Sequence, residues 1–207
     1  SEDGTYRLVT YDMYNRGGPN SLYRLSIRKE APGFRLVAMI EGPPAMPNKA
    51  LPIPTAFLRR GQVLPVKVMA FRRDGFNEPI EISLAGIPGQ ITASKATIHP
   101  GQNSALVLIS AKDDAAAWSG KVTVSGKAMV NGKAITHRAR TADVTNVTYD
   151  TQSKKSKVRA RLTGGMLITV TDREKAPLTI KAKEEKVWEH SVFGNIKIPI
   201  NIAFDAG

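Results

Sequence analysis

VKVMAFRRDGFNEPIEISLAGIPGQITASKATIHPGQNSALVLISAKDDA, residues Val66 to Ala115, is a run of short alternating apolar segments broken by Asp-Gly, Ile-Pro-Gly and Pro-Gly turns. Val66, Val68 and Ala70, then Ile80, Ile82 and Leu84, recur at every second residue. That period places them on one face of a strand and leaves Lys67, Glu81 and Ser83 on the other. Strands with one apolar face hide it best against a second such sheet, so the stretch predicts an all-β sandwich.

Working outward, residues 56 to 148 are expected to form one immunoglobulin-like β-sandwich of about seven strands. These are Ala56–Leu58, Val63–Phe71, Ile80–Leu84, Ile91–Ile98, Ser104–Ser110, Ser119–Val130 and Lys133–Val144. Val130-Asn131-Gly132-Lys133 carries the signal of a tight hairpin, because both central positions tolerate positive φ. Gly126-Lys127 and Gly132-Lys133 both read as turn pairs. Ala111 to Ala117 contains good helix formers but is long enough only for a single turn between the sheets.

Two sheet-like pieces flank this unit. In residues 1–43, Tyr6 to Tyr11 and Leu22 to Arg28 read as strands around the turn NRGGPN, and Phe34 to Ile40 adds a third apolar stretch. Residues 44–55 continue a segment with five prolines between Gly42 and Thr55. Proline lacks the ladder donor, so this is expected to be an extended connector and the best domain boundary. Residues 149–207 alternate at Val158 to Leu162, Met166 to Val170, Leu178 to Ala182 and Ile196 to Ile202. They read as a partial or second sandwich module, or as strands sharing a core with residues 1–43.

Composition bounds the chemistry. The chain has 207 residues, 42% of them hydrophobic, with no cysteine, which excludes disulfides, thiolate metal sites and cysteine nucleophiles. Thirteen prolines and seventeen glycines suit many turns and few long helices. No run reaches the roughly 18 to 20 apolar residues of a membrane span. The first residues, SEDGTYRLV, suggest an internal or processed piece of a longer protein. A net charge of +12 favours anionic partners, but the basic residues are spread over most expected strands, which reads first as a generally solvated basic surface, then as a polysaccharide or surface contact, and last as a nucleic-acid contact.

Asp74-Gly75-Phe76, Gly86-Ile87-Pro88-Gly89, the stretch Ile98-His99-Pro100-Gly101-Gln102-Asn103 and Gly126-Lys127-Ala128 resemble the immunoglobulin-like repeats of large exported bacterial proteins, especially of planctomycete-type bacteria. Tyr6 and Tyr23-Arg24-Leu25, before Ala31-Pro32-Gly33-Phe34, resemble the closing strands of a bacterial pre-peptidase C-terminal domain. The resemblance covers Thr5 to about Val144. It implies a secreted, cell-surface or periplasmic multidomain protein in which such modules serve as accessory, spacer or binding units, and it carries over no catalytic residue.

The chain holds fragments of catalytic patterns and completes none of them. His99, His137 and His190 lie in three segments without ligand spacing. Asp113-Asp114 suits solvated turn acids, since adjacent strand residues point apart. Asp74, Glu78, Asp113 and Asp114 form no recognisable calcium loop. Trp118-Ser119-Gly120 and Val124-Ser125-Gly126 lack the first glycine of a nucleophile elbow, and Gly120-Lys121-Val122-Thr123 lacks the upstream glycine of a phosphate loop. Asn146-Val147-Thr148 matches the short glycosylation pattern.

Two sets of residues remain as candidate contacts. Lys154, Lys155, Lys157, Arg159 and Arg161 concentrate positive charge, and a strand there would line Lys157, Arg159 and Arg161 along one face. That row suits sulfate, carboxylate or phosphate groups, or else guards a sheet edge against aggregation. Trp118 and Trp188 are candidate sugar-stacking rings, or core plugs. The expectation is a non-enzymatic structural or surface-interaction segment without cofactor or metal, whose partners are other domains of its parent and anionic polysaccharide or cell-surface components. The alternative is an accessory carbohydrate-binding module of a secreted hydrolase. Nucleic acid is disfavoured because no aromatic residues interleave with the basic row.

Overall fold

The structure is a computed structural model that describes residues 3–11, 13–14, 16–43, 53–184, 186, 188–189 and 194–204. By its internal contacts the chain divides into Ser1–Glu30 and Ala31–Gly207. In the first unit no strand forms among the described residues, in contrast to the two expected there. Tyr6, Leu8, Tyr11, Leu22, Tyr23 and Ile27 are all exposed. Two short alternating segments could make only one ladder, whose burial falls short of the entropy of ordering it. Within the NRGGPN segment a turn closes from Gly18 to Ser21, with Ser21 N–H donating to Gly18 O at 2.9 Å.

The second unit is an all-β sandwich. Its strands are β1 (Gly33–Ile40), β2 (Phe57–Arg60), β3 (Val63–Arg73), β4 (Ile80–Ala85), β5 (Ile91–Ala93), β6 (Ala96–Ile98), β7 (Ser104–Ala111), β8 (Trp118–Val130), β9 (Lys133–Arg138), β10 (Arg140–Asp150), β11 (Lys155–Thr163) and β12 (Met166–Lys175). One sheet runs β11-β10-β1-β3-β7-β5 and the other β2-β12-β8-β4-β6, with β9 also paired on β8. The order β1-β3-β7-β5 against β12-β8-β4 is that of immunoglobulin-like sandwiches, with β9 to β11 inserted before the last strand. A separate ladder joins β13 (Leu178–Ala182) to β14 (Ile200–Phe204).

The period-two pattern becomes the core. Leu64, Val66, Val68 and Ala70 of β3 are buried, and they join Phe34, Leu36, Ile80, Ile82, Val107, Ile109, Val122, Val124 and Ile168 in one cluster drawn from both sheets. Each such aliphatic side chain, fully buried, contributes about 1.5–3 kcal/mol. The one buried polar side chain among the described residues, Thr141, donates to Thr163 O at 3.1 Å.

Three features depart from the linear reading. Gly33–Ile40, expected with the first piece, is a central strand paired along its length with β3 and, over Val37 to Met39, in parallel with β10. The connection from β1 to β2 therefore joins two strands of one core; its residues 44–52 lie outside the described residues. The expected strand Ile91–Ile98 changes sheets midway, since β5 pairs with β7 while β6 pairs with β4, and this closes one side of the sandwich.

The expected strand Lys133–Val144 also breaks, at Ala139, whose N–H donates to Val124 O at 2.8 Å. β9 stays on β8, and β10 crosses to β1. Gly126, expected as a turn residue, lies inside β8 instead, opposite Ile82. A Cβ there would come within 2.5 Å of Leu36 Cδ1, so a close approach of the two sheets explains the glycine. The Asn131-Gly132 turn forms as expected, with φ of 49° and 75°. No helix among the described residues is long and apolar enough to cross a membrane.

Candidate functional site

The basic segment folds into β11, the edge strand of its sheet, in a ribbon with β10. Lys155, Lys157, Arg159 and Arg161 alternate along β11 and share one side, spaced by about 7 Å. Opposite them on β10 stand Asp150, Thr148, Asn146 and Asp143. A bulge between Val144 and Asn146 keeps these pairs in phase, and Thr145 Oγ1 donates across it to Arg159 O at 3.2 Å. Lys154 sits in the preceding turn with φ of 53°, off the row.

Within the row, Lys157 is the paired member. Its Nζ lies 2.7 Å from Asp150 Oδ2. The Asp150 carboxylate also accepts from the backbone N–H groups of Gln152 and Ser153 at 3.0 and 3.2 Å, which fastens the turn. The Lys157 ammonium first, and those N–H donors second, hold the Asp150 carboxyl at about 2, below its ordinary 3.8. Lys155, Arg159 and Arg161 are exposed and make no ion pair among the described residues.

The tryptophans occupy different settings. Trp118 begins β8 half-buried, packs against the core, and lies over Gly120, where a Cβ would meet its ring at 2.3 Å. Trp188 is half-buried, with Lys186 Nζ 4.2 Å from its ring centroid. His99 is an exposed turn residue whose backbone O accepts from Arg72 at 2.9 Å. His137, on β9, sets its ring edge-on to Phe34 at 5.0 Å. His190 lies outside the described residues. Asp113 and Asp114 are exposed in the turn before β8. Among the described residues no three histidine or acidic side chains gather where a metal ion could be held.

A second basic locality was not visible in the sequence. Where the chain crosses at Ala139, a cleft of about 580 Å³ is lined by Arg35, Arg73, Arg138 and Arg140 together with Phe34, Leu36, Val37, Phe71, His137 and Leu162. Arg35 of β1 lies opposite Phe71, Arg73 lies opposite Gly33, and Arg140 lies opposite Val37. Residues paired across a ladder project to the same side, so Arg35, Phe71, Arg73 and Arg140 share the outer face of the sheet. None of the four arginines makes an ion pair or side-chain hydrogen bond among the described residues, and no acid lines the cleft. Arg138 and Arg140 flank Ala139, but Arg35 and Arg73 are remote from them and from each other and join them only by strand pairing, which no spacing rule signals.

No family model matches the chain, and no curated protein matches it either. Two surfaces carry the chemistry: an exposed row of cations on an edge ribbon, and guanidinium groups gathered without counter-charges among the described residues.

Proposed function

We propose that this chain is a non-catalytic β-sandwich segment of a larger exported bacterial protein, positioned outside the cytoplasm, that joins neighbouring domains and contacts anionic polymers such as acidic polysaccharide. The observation that carries the reading is the β11 row, in which Lys155, Arg159 and Arg161 stand exposed along an edge strand with no ion pair among the described residues. Its resemblance to the immunoglobulin-like repeats of exported proteins supports the same reading. A neutral-sugar platform built on Trp118 has less support, because that ring packs on Gly120 and the core.

Exposed charge pairs are each worth roughly 0.2–1 kcal/mol. Removing all four cations of the row should therefore weaken retention on an acidic polysaccharide by about fourfold to several hundredfold. The test is a salt titration of retention on immobilised polygalacturonate and on a neutral glucan, with the native chain and the variant K155S/K157S/R159S/R161S. Retention on the acidic resin only, abolished in the variant, is expected. Equal behaviour of variant and native chain would overturn the role given to β11, and absence of retention on the acidic resin would remove the polymer-contact reading and leave a purely architectural one.

A further inference from the structure

We infer that the arginine-lined cleft beside β1 is a separate binding site for a short carboxylated or sulfated oligosaccharide, a more specific contact than the β11 row can make. It rests on the reading that the segment engages anionic polysaccharide, and it places one recognition element within that contact. Arg35 is directly opposite Phe71 and diagonal to Arg73, while Arg140 stands opposite the residue two along from Arg35. These are diagonal neighbours, about 7–8 Å apart and within reach of each other's long side chains, so one anion placed between them can be shared by two guanidinium groups.

Elsewhere the protein supplies such anions: Lys67 of the same sheet pairs with Glu41 at 3.1 Å. At the cleft it supplies none among the described residues. The guanidinium fork donates in parallel to the two oxygens of a carboxylate or sulfate, which a lysine point charge does not.

The volume and the lining select the rest of the ligand. About 580 Å³ exceeds what one inorganic anion fills and falls in the range of small-molecule sites. Phe71, 54% exposed between arginines, supplies aromatic surface for the apolar side of a sugar. An acidic peptide adding a strand to β1 fits less well. β10 pairs with β1 only at Val37 to Met39, but Phe34 and Leu36 beyond it are 1% and 2% exposed, so their backbone edge is covered.

The experiment follows amide shifts of the isotope-labelled full chain on adding a galacturonate trimer, a disulfated disaccharide, a neutral glucose trimer and a hexaglutamate peptide. One of the two anionic sugars should shift residues 33–37, 71–73 and 137–140 saturably, and the neutral sugar should not. R35S/R140S, on exposed side chains, should weaken that sugar at least tenfold, and F71S should weaken it while leaving the response to inorganic sulfate unchanged. K155S/K157S/R159S/R161S should leave it intact.

Shifts confined to β11, no saturable response to either anionic sugar, or equal affinity for hexaglutamate would overturn the cleft assignment. If the cleft fails in this way while the β11 variant still releases the acidic resin, the proposed function survives without it. If neither surface responds, the cleft and the polymer-contact reading both fall and only the architectural one remains.

Discussion

Replacing Gly126 by alanine tests whether the two sheets are as close as the fold requires. The added Cβ would stand 2.5 Å from Leu36 Cδ1, 2.9 Å from Ile80 Cγ2 and 3.3 Å from Ile82 Cδ1. Carbon atoms pack comfortably at about 3.5–4.0 Å, so the overlap with Leu36 is about 1 Å. Ile80 is 0% exposed and packed in the core, so relief requires Leu36, 2% exposed, to leave its rotamer toward the cleft or the two sheets to move apart. Overpacking of this kind costs about 1–3 kcal/mol. Alanine recovers about 0.5–1 kcal/mol of the backbone entropy that glycine loses in a strand. The net is a destabilisation of up to about 2.5 kcal/mol, centred on about 1.2, or a fall in melting temperature of roughly 2–5 °C at that centre for a domain of this size. Thermal unfolding followed by circular dichroism reads it, with G89A as the control, since a Cβ at Gly89 meets nothing within 4 Å. A G126A chain that melts with or above the native one, while G89A behaves as stated, would show that β1 does not lie against β8.

Arg72 donates to Glu78 O, Ile98 O, His99 O and Gln102 O and lies 5.4 Å over the Phe76 ring, so R72L should cost about 2–4 kcal/mol. A urea midpoint that drops at constant slope is expected, and an unchanged midpoint would refute the anchoring role. Asp150, held at about 2 when folded, stabilises the ribbon turn above its unfolded value of 3.8 and ceases to do so as pH falls toward 2. Amide shifts of Gln152 and Ser153 should titrate in that window and be flat in D150N. Gly132 has φ of 75°, so G132V should strain the β8–β9 turn by about 1–2 kcal/mol, seen as faster amide exchange at Val130 and Lys133.

Alternation was enough to find most strands of the sandwich, because a half-buried strand writes its orientation into every second residue. Pairing between distant strands left no such mark. Gly33–Ile40 is mostly apolar and reads equally well beside its sequence neighbours, yet eight of its residues pair with β3 beyond the proline-rich stretch. The sheet change at Ala139 is equally silent, since alanine fits either sheet and the deciding bond is to Val124 O. Gly126 looked like punctuation because glycine marks turns and close approaches alike, and only the position of Leu36 separates the two. The basic row was legible for the opposite reason: its members are local, and one strand suffices to align them. The arginine cleft needed β1, β3, β9 and β10 in place before its residues met.

The distribution of counter-charges leads to one further expectation. Lys67 with Glu41, Lys157 with Asp150, Lys186 with Glu184 and Arg59 with Glu174 are neutralised pairs. The excess of +12 is thus felt most at the cleft, where no acid among the described residues lines the arginines, and at Lys155, Arg159 and Arg161, which make no ion pair among the described residues. Two unit charges about 7 Å apart in water repel by about 0.6 kcal/mol, and salt at 0.15 M screens interactions beyond about 8 Å. Raising sodium chloride from about 50 to about 300 mM should accordingly raise the melting temperature slightly while weakening retention on an acidic polymer. The two trends have one origin, so R35S/R140S should diminish the first and the β11 variant the second. A melting temperature that falls with salt would mean that attractive pairs outweigh this repulsion, and that the unpaired arginines are not held close enough to need an anion.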